Sequence, residues 1–234
     1  MMNDEVRGAG ALPQESGKPA GQQVAKRYRA AKFWDRIAAR YARKPVSDEA
    51  SYQKKLQVTQ EYLRPGMEVL EFGCGTGTTA LILAPHVKHV HAMDISSGMI
   101  EIARSKAEAG PSRNVTFEQS GFDDFGAPDG SYDAVLGMNV LHLLDDRDTA
   151  ISKVYRILKP GGLFVSSTAC LGDWMKWFRF IAPIGRWSGL LPQVQVFTSN
   201  QLFSSLVHAG FEVDYRWQPP ARSAAVFVVA RKPA

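Results

Sequence analysis

The stretch that most constrains this chain is Val69-Leu70-Glu71-Phe72-Gly73-Cys74-Gly75-Thr76-Gly77. An apolar run ends in an acid, and glycines then fall at alternate positions. Glycine after a strand lets backbone approach a ligand, because no Cβ stands in the way. Thr78 to Leu83 reads as the start of a helix, whose unpaired N–H groups face whatever the loop holds. The pattern therefore predicts the first strand–loop–helix of a nucleotide-type site rather than a bare turn. The spacing also separates classes. A dinucleotide fingerprint requires G-x-G-x-x-G, with the third glycine packing helix on strand. Here Thr78 follows Gly77 and the pattern is G-x-G-x-G. The Gly-Lys-Ser/Thr of a phosphate-cradling P-loop is absent. Val90-His91-Ala92-Met93-Asp94 reads as a second strand, and Asp94 falls where an acid at that strand's end meets two ribose hydroxyls.

VLEFGCGTG together with AMDIS resembles the class I S-adenosylmethionine-dependent methyltransferases. The resemblance extends from about Met67 to Arg231. It implies an α/β, doubly wound, Rossmann-like fold, with a seven-stranded, mostly parallel sheet whose last strand is antiparallel. It also implies S-adenosylmethionine as cofactor and N-terminal helices covering the cofactor pocket. On this resemblance Gly73, Gly75 and Gly77 admit the methionine and ribose portions. Glu71 lies near the cofactor's amino group, through the loop or water. Asp94 takes the ribose hydroxyls, and Ile95 and Met99 hold adenine, with plain helix packing an equal reading for Met99. Many relatives place an aspartate after the third strand. Here Gly121 stands in that position with Phe122 next, so the backbone of Phe122 meets the adenine edge and Asp123 supplies the carboxylate from a shifted place.

The rest of the chain supports one core. Its 234 residues are 45% hydrophobic, enough for one domain and too few for two full ones. Residues 1–23 are poor in large apolar side chains and read as a disordered tail with no signal-peptide core. From Val24 to about residue 64 the pattern is helical, with Phe33, Ile37 and Tyr41 on one face and Trp34 beside them. Ser47 or Asp48 caps a second helix bearing Tyr52, Leu56 and Leu63. Tyr41 and Tyr52 either line the pocket or pack against the core. Residues 65–234 form the methyltransferase core. Ser96 caps a helix before Val115–Glu118, the third strand, and Gly130–Met138 is the fourth. Asn139 follows it, near the methionine end of the cofactor. His142 is either a general base or a helix-entry residue making a structural bond. A helix over Asp145–Leu158 ends at Lys159-Pro160-Gly161-Gly162, a helix stop and sharp return into the strand Leu163–Thr168. Thr198 caps a last helix through His208, and Phe211–Tyr215 pairs with Ala224–Ala230.

Residues 171–197 form the least standard segment. Trp174, Trp177, Phe178, Phe180, Ile181 and Trp187 alternate with Lys176, Arg179 and Arg186. That composition suits a lid, an acceptor region or peripheral membrane contact through 174–187, or an insertion that completes the core. No run of about 18 apolar residues occurs, so no transmembrane segment is expected.

The net charge is +5 with a pI near 9.2, but no block of five or more like charges appears, so no nucleic-acid partner is expected. Cys74 and Cys170 have no metal or redox spacing; no metal site is expected, and a reducing, cytoplasmic setting is.

The expected reaction is methyl transfer to a small-molecule or lipid-like acceptor, at oxygen or carbon in preference to nitrogen, by in-line displacement. A non-catalytic S-adenosylmethionine-binding module is the main rival, and a nicotinamide-dependent oxidoreductase a more distant one.

Overall fold

The computed structural model describes residues 20–173, 194–219 and 224–234, with side chains from Tyr28 onward. The aromatic and basic stretch 174–187 and the first 19 residues lie outside the described residues. Seven strands form one sheet in the order β3-β2-β1-β4-β5-β7-β6. They are β1 (Glu68–Phe72), β2 (His89–Asp94), β3 (Val115–Gln119), β4 (Tyr132–Met138), β5 (Leu158–Ala169), β6 (Glu212–Trp217) and β7 (Ala225–Arg231). β1 to β5 run parallel, and β7 is antiparallel to both β5 and β6.

Alternation along each strand divides the core into two layers. Leu70, Val135, Phe164 and Val228 face α5 (Arg147–Ile157) and α6 (Ser199–His208). Their neighbours Val69, Ala134, Val165 and Val229 face the other layer, built on α2 (Glu49–Tyr62), α3 (Thr78–Leu83) and α4 (Ser97–Ala109). Strands buried on both faces read as continuous apolar runs, as these do.

The expected caps form. The Asp48 carboxylate accepts from Ser51 N–H at 3.0 Å, and Thr198 and Gln201 make a reciprocal capping box; each satisfies an orphan donor of a first turn.

Two boundaries differ from expectation. The first helix, α1 (Ala20–Arg43), starts inside the stretch read as tail, since alanine and glutamine propagate a helix without large apolar side chains. The LKPGG segment also differs. α5 ends at Ile157 with Leu158 as its C-cap, and β5 begins on that same Leu158. Tyr132 pairs with Leu158 but Ala134 with Leu163, so β5 carries a bulge opposite β4. The Gly161 N–H bonds the Lys232 carbonyl at 2.9 Å and the Lys232 N–H returns to Gly162 at 2.9 Å. The return is thus a bulged strand start tied to the chain's last residues.

Candidate active site

The segments that follow β1, β2, β3 and β4 converge at the C-terminal edge of the sheet around a cleft of about 1070 Å³, mouth included. The chain reverses its strand order between β1 and β4 there, and open α/β sheets bind ligands at such a point. After β1 the lining is Phe72, Gly73 and Gly75; after β2 it is Asp94, Ile95 and Met99. Ser120 to Asp123 follow β3, and Met138 to Val140 with Leu143 to Asp145 follow β4. Ala30, Trp34 and Tyr41 of α1 close the outer side.

The three glycines of the loop do three different things. All have positive φ: 67° at Gly73, 55° at Gly75 and 72° at Gly77. A Cβ on Gly73 would sit 2.5 Å from Val140 Cγ2, and one on Gly77 would sit 2.7 Å from the Phe117 ring. A Cβ on Gly75 meets nothing within 4 Å. Gly73 therefore admits the β4 loop and Gly77 admits Phe117 and Ala103, so Gly77 packs helix α4 and does not line the cleft. Gly75 alone of the three presents bare backbone to open space. Gly77→Ala is expected to destabilise the protein by about 2–4 kcal/mol, from overpacking plus backbone strain. Gly75→Ala carries only the backbone part, about 1 kcal/mol. Denaturant titration of the two variants should separate them, and equal losses would count against distinct roles.

Asp94 organises the loop. Its Oδ2 accepts from Gly75 N–H at 2.8 Å and its Oδ1 from Ser96 N–H at 2.9 Å. Burial pushes its carboxyl above the ordinary value, and the N–H groups of Ser96, Gly75 and Ile95 oppose the rise. Ser96 caps α4, accepting from Met99 N–H at 3.2 Å. Asp35 of α1, absent from the sequence expectations, caps the same helix from outside. Its Oδ1 accepts from Ser96 Oγ at 2.5 Å and from Gly98 N–H at 3.0 Å. An anion is stabilised at that helix end by the unpaired N–H groups. This bond seats α1 over the cleft. Tyr41 lines the cleft beside Trp34, with ring centroids 6.3 Å apart, while Tyr52 turns away to Thr79 Oγ1 at 3.3 Å.

Glu71 lies behind the loop and does not line the cleft. It is 1% exposed, and its Oε2 is the one buried side-chain polar atom without a partner among the described residues. Burial, and then the nearby Asp94 charge, push its pKa up to about 8. An orphaned acceptor of this kind is costly unless a donor arrives.

Phe122 lines the cleft with a ring stacked on Phe72 at 4.2 Å, and its carbonyl is taken by Lys153 Nζ at 2.6 Å. Asp123 lines the cleft beside it. Asn139 takes the left-handed conformation, φ 58°, the only non-glycine to do so among the described residues; asparagine tolerates it.

His142 is held by hydrogen bonds from β5. It sits on a 3₁₀ turn, Leu141–Leu143, and does not line the cleft. Its Nδ1 lies 3.1 Å from Thr168 Oγ1 and accepts from Ala169 N–H at 3.4 Å. An Nδ1 that accepts leaves the ring proton on Nε2, so the neutral ring has no free lone pair. Burial lowers its pKa to about 4. The histidine pins the end of β5, the structural alternative for this residue.

The residues present fit S-adenosylmethionine. An orphaned carboxyl behind the loop suits an ammonium group, and Asp94 suits ribose hydroxyls. Ile95, Met99 and Phe122 offer apolar surface to a base, and Gly75 leaves room for the linking atoms. Among the described residues no cluster of His, Cys, Asp or Glu is arranged to hold a metal, and no helix is long and apolar enough to cross a membrane.

Comparison with known proteins places this site. Residues 69–162 match the family model described as a methyltransferase domain. The chain is 32% identical over 156 residues to a demethylmenaquinone methyltransferase of Symbiobacterium thermophilum, covering 64% of this chain and 61% of that protein. It thus spans less than two thirds of that relative's length. Among solved structures, the N-methyltransferase NodS from Bradyrhizobium japonicum, in complex with S-adenosyl-L-homocysteine, superposes with TM-score 0.69. It shares 19% identity, over 88% of this chain and all of that one. The [4+2]-cyclase SpnF superposes with TM-score 0.68 at 21% identity, over 92% of this chain and 97% of that one. Both share the fold. The glycine loop and Asp94 both fall inside the segment, residues 69–162, that matches the methyltransferase-domain model, and the strand order is that of a fold shared with both solved structures.

Proposed function

We propose that the protein transfers the methyl group of S-adenosylmethionine to a small or lipid-like acceptor, with oxygen or carbon preferred over nitrogen. The observation that carries this reading is the continuity of the cleft. It runs from Asp94 and Ile95, past bare Gly75, to the apolar walls made by Met138, Val140, Leu143 and Leu144. Groups suited to a nucleoside and walls suited to an apolar partner therefore border the same cleft. The menaquinone-precursor acceptor named for the Symbiobacterium relative is of that apolar class.

The chemistry asks for orientation more than activation. A sulfonium methyl is already electrophilic, so the protein's part is to align the acceptor in line and keep water out. Such alignment lowers a barrier by about 7–11 kcal/mol in favourable systems. Glu71, Asp94, Ile95, Met99, Phe122, Asp123 and Asn139 hold the cofactor on this reading, with Gly73, Gly75 and Gly77 shaping the loop. His142, with Nδ1 occupied, takes no proton, so a suitable acceptor loses its proton without it. The stretch 171–197 is the proposed acceptor region, with membrane contact through 174–187.

Calorimetric titration with S-adenosylmethionine, NAD and NADP is the first test, followed by a transfer assay with methyl-labelled cofactor against hydroxylated aromatics and lipids. Binding of S-adenosylmethionine alone, with label transferred, supports the reading. Binding without transfer to any acceptor favours the cofactor-binding module instead. Preference for the dinucleotides overturns both.

A further inference from the structure

A lysine of the N-terminal cap is buried and is linked through one serine to a residue that lines the cleft. Lys55 of α2 is 8% exposed, and no carboxylate pairs with it among the described residues. Its Nζ donates to Ser167 Oγ on β5 at 2.9 Å. Burial lowers its pKa and the Asp48 charge opposes the fall. Ser167 is itself fully buried, and its Oγ donates to Asn139 Oδ1 at 3.2 Å. Asn139 is tied a second time, its N–H donating to the Ser167 carbonyl at 2.6 Å.

The direction of this chain is set at its head. A lysine only donates and a serine hydroxyl has one proton. With Lys55 occupying a lone pair of Ser167, the serine proton needs an acceptor. The Asn139 side-chain oxygen is its sole partner of that kind among the described residues. The amide oxygen is thereby fixed inward, and the Nδ2 hydrogens are turned away from Ser167 on a residue that lines the cleft. A cation two bonds behind polarises those donors toward an anion. On the other side of the glycine loop, Glu71 Oε2 offers an unpartnered acceptor. Asn139 thus offers a donor at the cleft lining, while Glu71 keeps a buried acceptor behind the glycine loop.

We propose that Lys55 is a positioning residue that acts through Ser167 to hold the Asn139 amide N–H as a donor to the carboxylate of the cofactor's amino-acid end. The proposal rests on the reading of the cleft as an S-adenosylmethionine site. The carboxylate is the only anionic group that cofactor carries, so the pairing with Glu71 recognises an amino acid's two opposite charges.

The test is calorimetric titration of the whole protein with S-adenosylmethionine and with its decarboxylated analogue, for the wild type, Lys55→Met and Asn139→Gly. Glycine at 139 removes the amide while suiting φ 58°. Lys55→Met is expected to weaken S-adenosylmethionine binding roughly tenfold or more and to leave the decarboxylated analogue unaffected. In the Asn139→Gly background the same substitution should produce no further loss, because the lysine acts only through the amide. Ser167→Ala, which removes the middle link, should behave as Lys55→Met. Equal weakening toward both ligands, or losses that add across Lys55 and Asn139, overturn the proposal and leave Lys55 a packing residue. A wild type that fails to bind S-adenosylmethionine overturns the underlying reading as well, and that titration alone identifies this case.

Discussion

Asp94→Ala is expected to weaken S-adenosylmethionine binding at least a hundredfold. A carboxylate offers about four acceptor positions. In this protein Gly75 N–H at 2.8 Å and Ser96 N–H at 2.9 Å each take one, and Ile95 N–H also faces the carboxylate. Each carboxylate oxygen keeps acceptor capacity that the two hydroxyls of a ribose would use. A hydrogen bond to a charged group contributes about 1.5–3 kcal/mol. Losing two therefore costs on the order of 3–6 kcal/mol, and every 1.4 kcal/mol is about a factor of ten. The substitution also frees Gly75, so the loop loses its tie to the end of β2. Asp94→Asn is expected to be nearly as damaging, since its amide would set an N–H against one of those N–H groups. Calorimetric titration, with circular dichroism to show that the fold persists, reads the effect. Near-normal affinity in a folded Asp94→Ala variant would remove the residue from the site.

Glu71→Gln is expected to change how stability depends on pH. The acid's ordinary value is 4.5 and the folded protein raises it to about 8. Between those values the folded chain holds a proton that the unfolded chain has released. Stability therefore falls as pH rises through this window, and the full cost is present above about 8. The displacement corresponds to ~4–5 kcal/mol. His142 acts in the opposite sense lower down. Its ordinary 6.5 falls to about 4 in the fold, so its contribution is complete above 6.5 and is lost on acidification below it. The range from 6.5 to 8.5 thus isolates Glu71. Denaturant titrations across that range should show the wild type losing stability and Glu71→Gln staying level. Parallel curves would mean that the carboxyl is not held neutral. The glutamine lacks the charge for an ammonium partner, so it should stabilise the free protein and weaken cofactor binding together.

Much of this architecture was legible in the sequence because local and global demands agree. Val69 to Gly77 is a two-face-buried strand followed by backbone that must turn with positive φ, and only glycine does so three times cheaply. Asp94 was legible for a related reason, standing where an apolar strand stops. The thirteen residues of α4 follow from the Ser96 cap and an apolar stripe. What stayed hidden depends on pairs distant in sequence. Asp35 looks like an ordinary charge on α1 until the start of α4 is brought beneath it. Lys55 looks like a solvated residue of α2, although it falls four residues after Ser51 and four before Thr59, a buried polar face. Three polar residues at helical spacing were the available signal. His142 stands at a strand's C-terminal edge, which suggests chemistry, while the hydrogen bonds to its ring from β5 could not be read in the sequence. The β5 start was missed because Pro160 and Gly161 signal a break, while the bulge keeps both inside a strand.

The bond from Lys55 to Ser167 spans 112 positions in the chain, and its consequence concerns cooperativity. α2 also inserts Leu56 and Val58 into the layer that holds Val69 and Phe227, and Ala38 of α1 lies under Gly98. The first two helices therefore share their apolar surface and their polar ties with the sheet. A cap of this kind does not melt away to leave a free-standing core behind. Loss of α2 would uncover the central strands and strand the serine beneath them. The boundary near residue 64, natural as a division of the sequence, is then expected to be no division in unfolding, and hydrogen exchange should show the helical cap and the sheet opening together.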